Sequence, residues 1–349
     1  MTGEVVTLAV DEAAEFLSQL FLRAGLPDRA ASEMAEVLVD ADVAGLGSHG
    51  LLQAEMYIRR LMLGSVSPRV RGEIVEDRGA IAIIDAKRMF GHLVGRQAMA
   101  LAMKHSKSFG IGLVAVRNSF HFGTAGRYSA QASEGGCIGI AMCNTKPMMP
   151  APDGLDRLVG NNPISIGIPA DGDGHFLLDM ALSEGALGKI RVRQRAGQPI
   201  PPTWAVDKHG DPTTDPAAAI EGMLLPSGGA KGFGLAMAID LMSSLLSGGP
   251  GADAVPPLYG DLSRPFVCSS LFIAIDIEHF DEVGSAMARA GDELAKVRNA
   301  GTREGHVRVP GDRAALSRRT NDGSIKVGVA IVAGLNALAE ELSVTRRLG

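Results

Sequence analysis

From residue 80 onward the chain alternates short apolar runs with longer stretches of helical spacing, and that alternation leaves few folds open to it. AIAIID (80–85), IGLVAV (111–116), CIGIAMCN (137–144), PISIGIP (163–169), FLLDMA (176–181) and SSLFIAIDI (269–277) read as strands. Residues 92–108, a stretch ending at Ser133, 231–249 and 281–300 read as helices, the 231–249 helix amphipathic and stopped by Gly248 and Gly249. A loop rich in Pro, Gly and Thr covers 196–218. The first 60 residues read as helices throughout. Phe16, Leu17, Leu20 and Phe21 share one face. Asp28 is placed to cap a second helix, lined by Ala30, Met34, Val37, Leu38 and Ala41 and ended at Gly45. Leu51, Leu52, Ile58 and Leu61 stripe a third, and 325–341 is again apolar at helical spacing. The pattern predicts an α/β fold in two units. A helical N-terminal unit (1–75) packs with C-terminal helices (310–349), and an α/β unit (76–309) carries the site.

Composition narrows the function classes. At 349 residues the chain suits two or three domains. With 46% apolar and 21% charged residues it is neither disordered, collagenous nor a coiled coil. A net charge of −5 provides no basic field for nucleic acid or anionic membrane, and 4% aromatics is too few for a base-stacking platform. Cys137, Cys143 and Cys268 lack paired spacing, so buried thiols in a reducing compartment are expected. The N-terminus lacks the basic-then-apolar order of a signal peptide, and no run of 18 apolar residues occurs. The expected location is therefore the cytoplasm.

The common chemical fingerprints are absent. No GxGxxG opens a helix after a strand, and no GxxxxGK[ST], HExxH or GxSxG occurs. No two of the eight histidines stand at i and i+4, so no helical metal pair is indicated.

Five stretches are left that carry chemistry. In Ser48-His49-Gly50 the histidine opens a predicted helix, whose N-terminus disfavours its charged form. The spacing is equally consistent with Ser48 as a cap and His49 as a solvated side chain. His121 lies in a strand-to-helix loop between Phe120 and Phe122, as a proton-exchanging group or as a core histidine bonded to a carbonyl. Asn144, Thr145 and Lys146 follow a strand, where the lysine offers a point charge to a carboxylate or lies on the surface. Asp179 interrupts an apolar strand and must be hydrogen-bonded, to a ligand, a histidine or backbone amides. Gly228-Gly229-Ala230-Lys231-Gly232-Phe233-Gly234 opens the long helix, as an anion cradle or a plain glycine turn.

Taken in order, SHG (48–50), NSFHFGTAG (118–126), NTKP (144–147), GNNPI (160–164), LDMALS (178–183), WAVDKHGDPTTDP (204–216), GGAKGFGLA (228–236) and VPGD (309–312) resemble the type-2 malate/L-lactate dehydrogenase family. That group also holds sulfolactate, ureidoglycolate and diketogulonate dehydrogenases and cyclic-imine carboxylate reductases. The resemblance implies a non-Rossmann nicotinamide-binding α/β domain, NAD or NADP as cofactor, and a homodimer whose two chains build the site. It implies His121 as acid/base and Ser48 and His49 in the substrate site, and of these catalytic residues either His121 or His49 is placed to be the proton donor. By the same resemblance Thr145 and Lys146 are expected near nicotinamide and substrate, and Asp179, Met180, Ala181, Lys231, Pro310, Gly311 and Asp312 at the cofactor.

Departures are local. Gln53 stands where members commonly carry an arginine for the substrate carboxylate, and Ala230, Phe233, Asn161, Leu182 and Arg127 differ from the usual residues. A neutral amide holds a carboxylate less strongly than a bidentate guanidinium, and Lys146 or Arg127 is placed to compensate. The expected activity is hydride transfer between nicotinamide and C2 of a small 2-hydroxy or 2-keto carboxylate. The alternatives are reduction of a cyclic imino carboxylate and a cofactor-binding member with little activity.

Overall fold

The computed structural model describes residues 4–172, 174–303 and 305–349. The N-terminal third runs β1 (Val5–Ala9), α1 (Val10–Arg23), α2 (Asp28–Val43), α3 (Ala54–Met62), β2 (Glu73–Arg78), β3 (Ile81–Asp85), α4 (Gly91–Phe109) and β4 (Ile111–Ser119). The middle follows as α5 (Gly126–Glu134), β5 (Cys137–Cys143), β6 (Ile164–Ile168), β7 (Phe176–Met180), α6 (Leu187–Arg195), β8 (Ala205–Val206), α7 (Pro216–Glu221) and β9 (Met223–Leu224). The chain closes with α8 (Ala230–Ser247), β10 (Cys268–Asp276), α9 (Val283–Arg298), α10 (Asp312–Arg319), β11 (Ser324–Gly328) and α11 (Val329–Glu341).

Seven strands form the central sheet in the order β2-β3-β4-β10-β5-β6-β7. Only β3 and β4 run parallel, joined by α4 as a βαβ unit; every other pair is antiparallel. The strand–helix alternation thus gives a mixed sheet, because β10 arrives from about 150 residues away and inserts between β4 and β5. Both faces of the centre are buried. Along β4, Val114 and Val116 join the core under α4 and α5, while Leu113 and Ala115 face the core under α8. Alternate residues serve opposite layers, which is why IGLVAV reads as an unbroken apolar run. At Gly112 a Cβ would stand 1.9 Å from the Ala102 carbonyl, so glycine lets α4 lie close on β4.

Three expectations need correction at the ends of the chain. Residues 5–9 and 324–328 are strands, paired with each other in a two-stranded antiparallel sheet. Each is too short to declare itself without its partner. Asp28 makes no side-chain cap; α2 begins on Pro27 in an extended conformation. The third helix starts at Ala54, after single 3-10 turns at Gly47–His49 and Leu51–Gln53, and Leu52 is exposed. The Pro/Gly/Thr stretch of 196–218 also holds β8 and the start of α7, which Asp215 caps through Ala217 and Ala218. The 231–249 helix is not amphipathic. Leu235, Met237, Leu241, Met242, Leu245 and Leu246 are exposed on it, while Ala236 and Ile239 are buried against the sheet. No helix among the described residues is long and apolar enough to cross a membrane.

Candidate active site

Four rings from three parts of the chain meet at one end of the sheet. His121 lies in the β4–α5 loop, whose approach is shaped by Asn118 in a left-handed conformation (φ 55°) with its amide bonded to Asp85. The imidazole of His49 stacks on it, with centroids 6.0 Å apart and planes 16° from parallel. Tyr57 of α3 bonds its hydroxyl to His121 Nδ1 at 2.5 Å. His92 of α4 packs edge-on against both Tyr57 and His121. His92 is 2% exposed and neither of its nitrogens has a hydrogen-bond partner among the described residues.

The His49 turn is held from below. The Asp42 carboxylate, on the last turn of α2, accepts the Leu51 N–H at 2.7 Å. A Cβ on Gly50 would fall 2.1 Å from that carboxylate. His49 therefore sits in a 3-10 turn and not at the head of a helix; Ser48 Oγ lies 3.0 Å from its Nδ1. Gln53 is 6% exposed, and its amide is spent inside the wall. It donates to the Ser48 carbonyl (2.8 Å) and to the Tyr259 hydroxyl (2.9 Å), and Tyr259 donates back. Gln53 thus reaches the site through Ser48 and Tyr259, with no free amide for a carboxylate.

Along the other side runs the edge strand β7. Asp179 accepts the backbone N–H of Gly126, the first residue of α5, at 2.9 Å, and so caps that helix from a distance. Gly126 has no room for a Cβ, which would stand 2.7 Å from the same carboxylate. The Pro310 carbonyl takes the Leu177 N–H, which lays Pro310 and Gly311 on the start of β7, the strand that carries Asp179 and Met180. The Asp312 carboxylate is already engaged by Arg298 (2.7 Å) and the Val309 N–H, so it fastens this turn. Beyond Ala181, the Leu182 N–H bonds the Asn161 carbonyl and its own carbonyl takes the Ser227 N–H. Those bonds draw the Gly228–Lys231 turn toward the strand end. Thr145 bonds Asn161 and Asn162 there, while Lys146 is exposed. Asn144 is buried on Asp240, Pro250 and Ser269, so it ties β5 to α8 and offers nothing to a ligand.

These residues suit a dinucleotide. Gly228 and Gly229 carry positive φ with nothing within 4 Å of a Cβ on either. The 18-residue α8 begins there with no side-chain cap, next to Lys231. Open amides at a helix start beside a cation fit a pyrophosphate. Gly126 lets Asp179 close on the head of α5, and Gly311 lets the 309–312 turn lie directly on Leu177 of β7.

Burial sets the charges. Desolvation, with the nearby His49 charge, holds the His121 imidazole down to about 3. Desolvation also lowers His49, and it lowers His92 well below the ordinary value with His121, Arg127 and His49 adding to it. Desolvation lifts Asp42 and Asp179 to about 6 against the backbone N–H each accepts. The unfolded chain protonates its imidazoles as pH falls through about 6.5 and the folded chain does not. Their contribution to stability is therefore whole above that value and is lost as pH falls toward 3. The two aspartates run oppositely: the fold favours their neutral forms, so their burial cost is absent below about 3.8, builds as pH rises from there to about 6, and is complete above it. Between pH 7 and 5, urea melts should show the wild type losing more stability than His121→Gln, the difference being at most about 2 kcal/mol. Equal losses would remove His121 from the buried set.

Ser48, His49 and His121 come together, and Asp179, Met180, Pro310 and Gly311 form a second group bonded to the first through α5. Tyr57, His92, Asp42 and Tyr259 are additions that the sequence did not reveal. Tyr57 sits within an apolar helical stripe and reads as an ordinary core aromatic.

The sequence profile of a family described as malate/L-lactate dehydrogenase matches residues 8–336. The L-sulfolactate dehydrogenase of Methanocaldococcus jannaschii is 37% identical over 321 residues, covering 91% of this chain and 92% of that protein. The malate dehydrogenase of Pyrococcus abyssi is 34% identical, covering 99% of this chain and 95% of its own. The crystal structure of malate dehydrogenase from Entamoeba histolytica superposes with a TM-score of 0.93 at 28% identity, covering 98% and 99% of the two chains.

Proposed function

The chain belongs to the malate/L-lactate dehydrogenase family, and we propose on that premise how its residues divide the work. It is an NAD- or NADP-dependent oxidoreductase that acts on the C2 hydroxyl of a small 2-hydroxy acid. The observation that carries the residue assignment is the face-to-face pair of His49 and His121, brought from segments about 70 residues apart to one wall. His121 is the acid/base. Burial keeps it neutral and a weak base, so it takes a proton only where an anionic substrate raises its proton affinity. The Tyr57 hydroxyl bonds His121 Nδ1; in the tautomer with its proton on that nitrogen, Nε2 is left to take the substrate hydroxyl proton. Burial pushes the Tyr57 phenol well above its ordinary value, so Tyr57 stays neutral and orients the ring. His49, steadied by Ser48, lies parallel to His121 and holds the substrate oxygen in reach.

Asp179, Met180, Ala181, Lys231 and the 309–312 turn hold the cofactor, and Thr145 and Lys146 stand at its junction with substrate. A nicotinamide held there would supply the hydride acceptor or donor for C2. In the reductive direction His121 must first be protonated, and an anionic substrate beside it raises its proton affinity. The test is an activity matrix of NADH and NADPH against oxaloacetate, pyruvate and pyrroline-2-carboxylate. Turnover of a 2-keto acid supports the reading. Turnover of the cyclic imine alone makes the chain an imine reductase, and cofactor binding without turnover makes it a binding protein.

The assembly proposed is a homodimer. Six large apolar side chains lie exposed along α8, with Leu245 74% exposed, and an apolar face of that kind is costly in water. A second copy covers it. Sedimentation should give twice the chain mass, and Leu245→Glu should shift the equilibrium to monomers without lowering the monomer's own stability. A wild-type monomer at all concentrations ends this assignment. The three buried free thiols fit a cytoplasmic enzyme.

A further inference from the structure

Gln53 brings no charge to the wall it closes, yet a cation stands a ring's breadth away. Tyr259, bonded to Gln53, belongs to a segment fixed by the fully buried Arg60. That guanidinium donates to the carbonyls of Leu258 (2.7 Å), Leu262 (3.3 Å) and Arg264 (2.7 Å). The ring of Tyr259 is thereby a rigid ledge. Over it lies the guanidinium of Arg191, 4.7 Å from the centroid. Among the described residues no carboxylate or carbonyl takes the N–H groups of Arg191.

The helix that carries Arg191 is pressed on the histidine turn. A Cβ on Gly188 would lie 3.7 Å from Ser48 Cβ. Residues 188 and 191 share one helical face. Arg193 is turned elsewhere, onto Trp204 and the Pro199 carbonyl. Stacking on a ring holds a guanidinium flat and leaves its edge donors in the plane, where they match a carboxylate or sulfonate two oxygens at a time.

We propose that Arg191 binds the second acidic group of a dianionic 2-hydroxy acid, the group beyond the carbon that reacts between His49 and His121. This rests on the dehydrogenase reading above. Arg191 lies outside the Gln53–Tyr259 pair and not among the histidines, so it addresses the far end of the substrate. The chain selects a C4 dicarboxylate or a 3-sulfo acid over lactate through this residue.

The test compares oxaloacetate with pyruvate in the wild type, Arg191→Gln and Arg191→Lys, with melting temperatures measured alongside. The wild type should prefer oxaloacetate. Arg191→Gln should lower the oxaloacetate-to-pyruvate ratio of kcat/KM by roughly 30- to 100-fold, mainly through KM, as expected for a lost charge-assisted hydrogen-bond pair. Arg191→Lys should restore part of the ratio, because it keeps the charge and loses the fork. An unchanged ratio, including one in which both activities fall together, overturns the role of Arg191 and leaves the dehydrogenase standing. A wild type silent on oxaloacetate, pyruvate and 3-sulfopyruvate alike removes the dehydrogenase reading and this inference with it.

Discussion

Replacing His121 with glutamine lowers kcat by about 10²–10⁴-fold and leaves the cofactor dissociation constant within a factor of about two. Glutamine keeps a polar side chain of similar reach, so Tyr57 retains a partner and the cluster of Phe120, Tyr57 and His92 stays packed. What is lost is the only group in the pair whose second nitrogen is backed by a buried phenol. His49 stays in place, yet no phenol bonds its Nδ1; Ser48 does. The loss therefore falls on the chemical step. Steady-state kinetics in both directions, with cofactor binding followed by fluorescence titration, measures it. Turnover within threefold of the wild type would move the acid/base role to His49.

Changing Gly50 to alanine should cost about 10²-fold in kcat/KM while the melting temperature falls by only a few degrees. The reason is a collision and not backbone strain, since φ at Gly50 is −94°. The new methyl would stand 2.1 Å from Asp42 Oδ2 and 2.3 Å from its Cγ. The carboxylate must swing away and give up the Leu51 N–H, the bond that ties the chain just after the Gly47–His49 turn to α2. His49 then shifts relative to His121, and a displacement near 1 Å at a reacting centre is worth about that much in rate. The core beneath, with Leu51 and Tyr57 fully buried, is untouched, so stability changes little. A large fall in melting temperature with kinetics intact in the folded fraction would show the turn to be structural only.

Much of the candidate site was legible. Ser48-His49, His121, Asp179 and the glycines before Lys231 each broke a local pattern, being polar or glycine-rich where the spacing calls for apolar or turn residues. Other residues conformed to their surroundings and were hidden. Tyr57 and His92 occupy ordinary positions on helical faces, and Asp42 reads as the solvated end of α2. The expectation for His49 found the right direction for its proton affinity and the wrong cause. It sits in a 3-10 turn, and burial lowers it. Residues 5–9 and 324–328 were hidden as strands for a related reason: each is extended because the other is there to pair with it.

By itself the sequence determined the local elements of the α/β core, the strand-to-helix loop that presents His121 and the glycine turn that opens α8. Periodicity and turn chemistry are settled between residues a few positions apart. Only the tertiary structure decided that β10 divides β4 from β5, that His49 lies flat on His121 and that Arg191 rests on Tyr259. Those pairings depend on burying surface between segments tens to hundreds of residues apart, and no short-range pattern records which distant surface a side chain will meet.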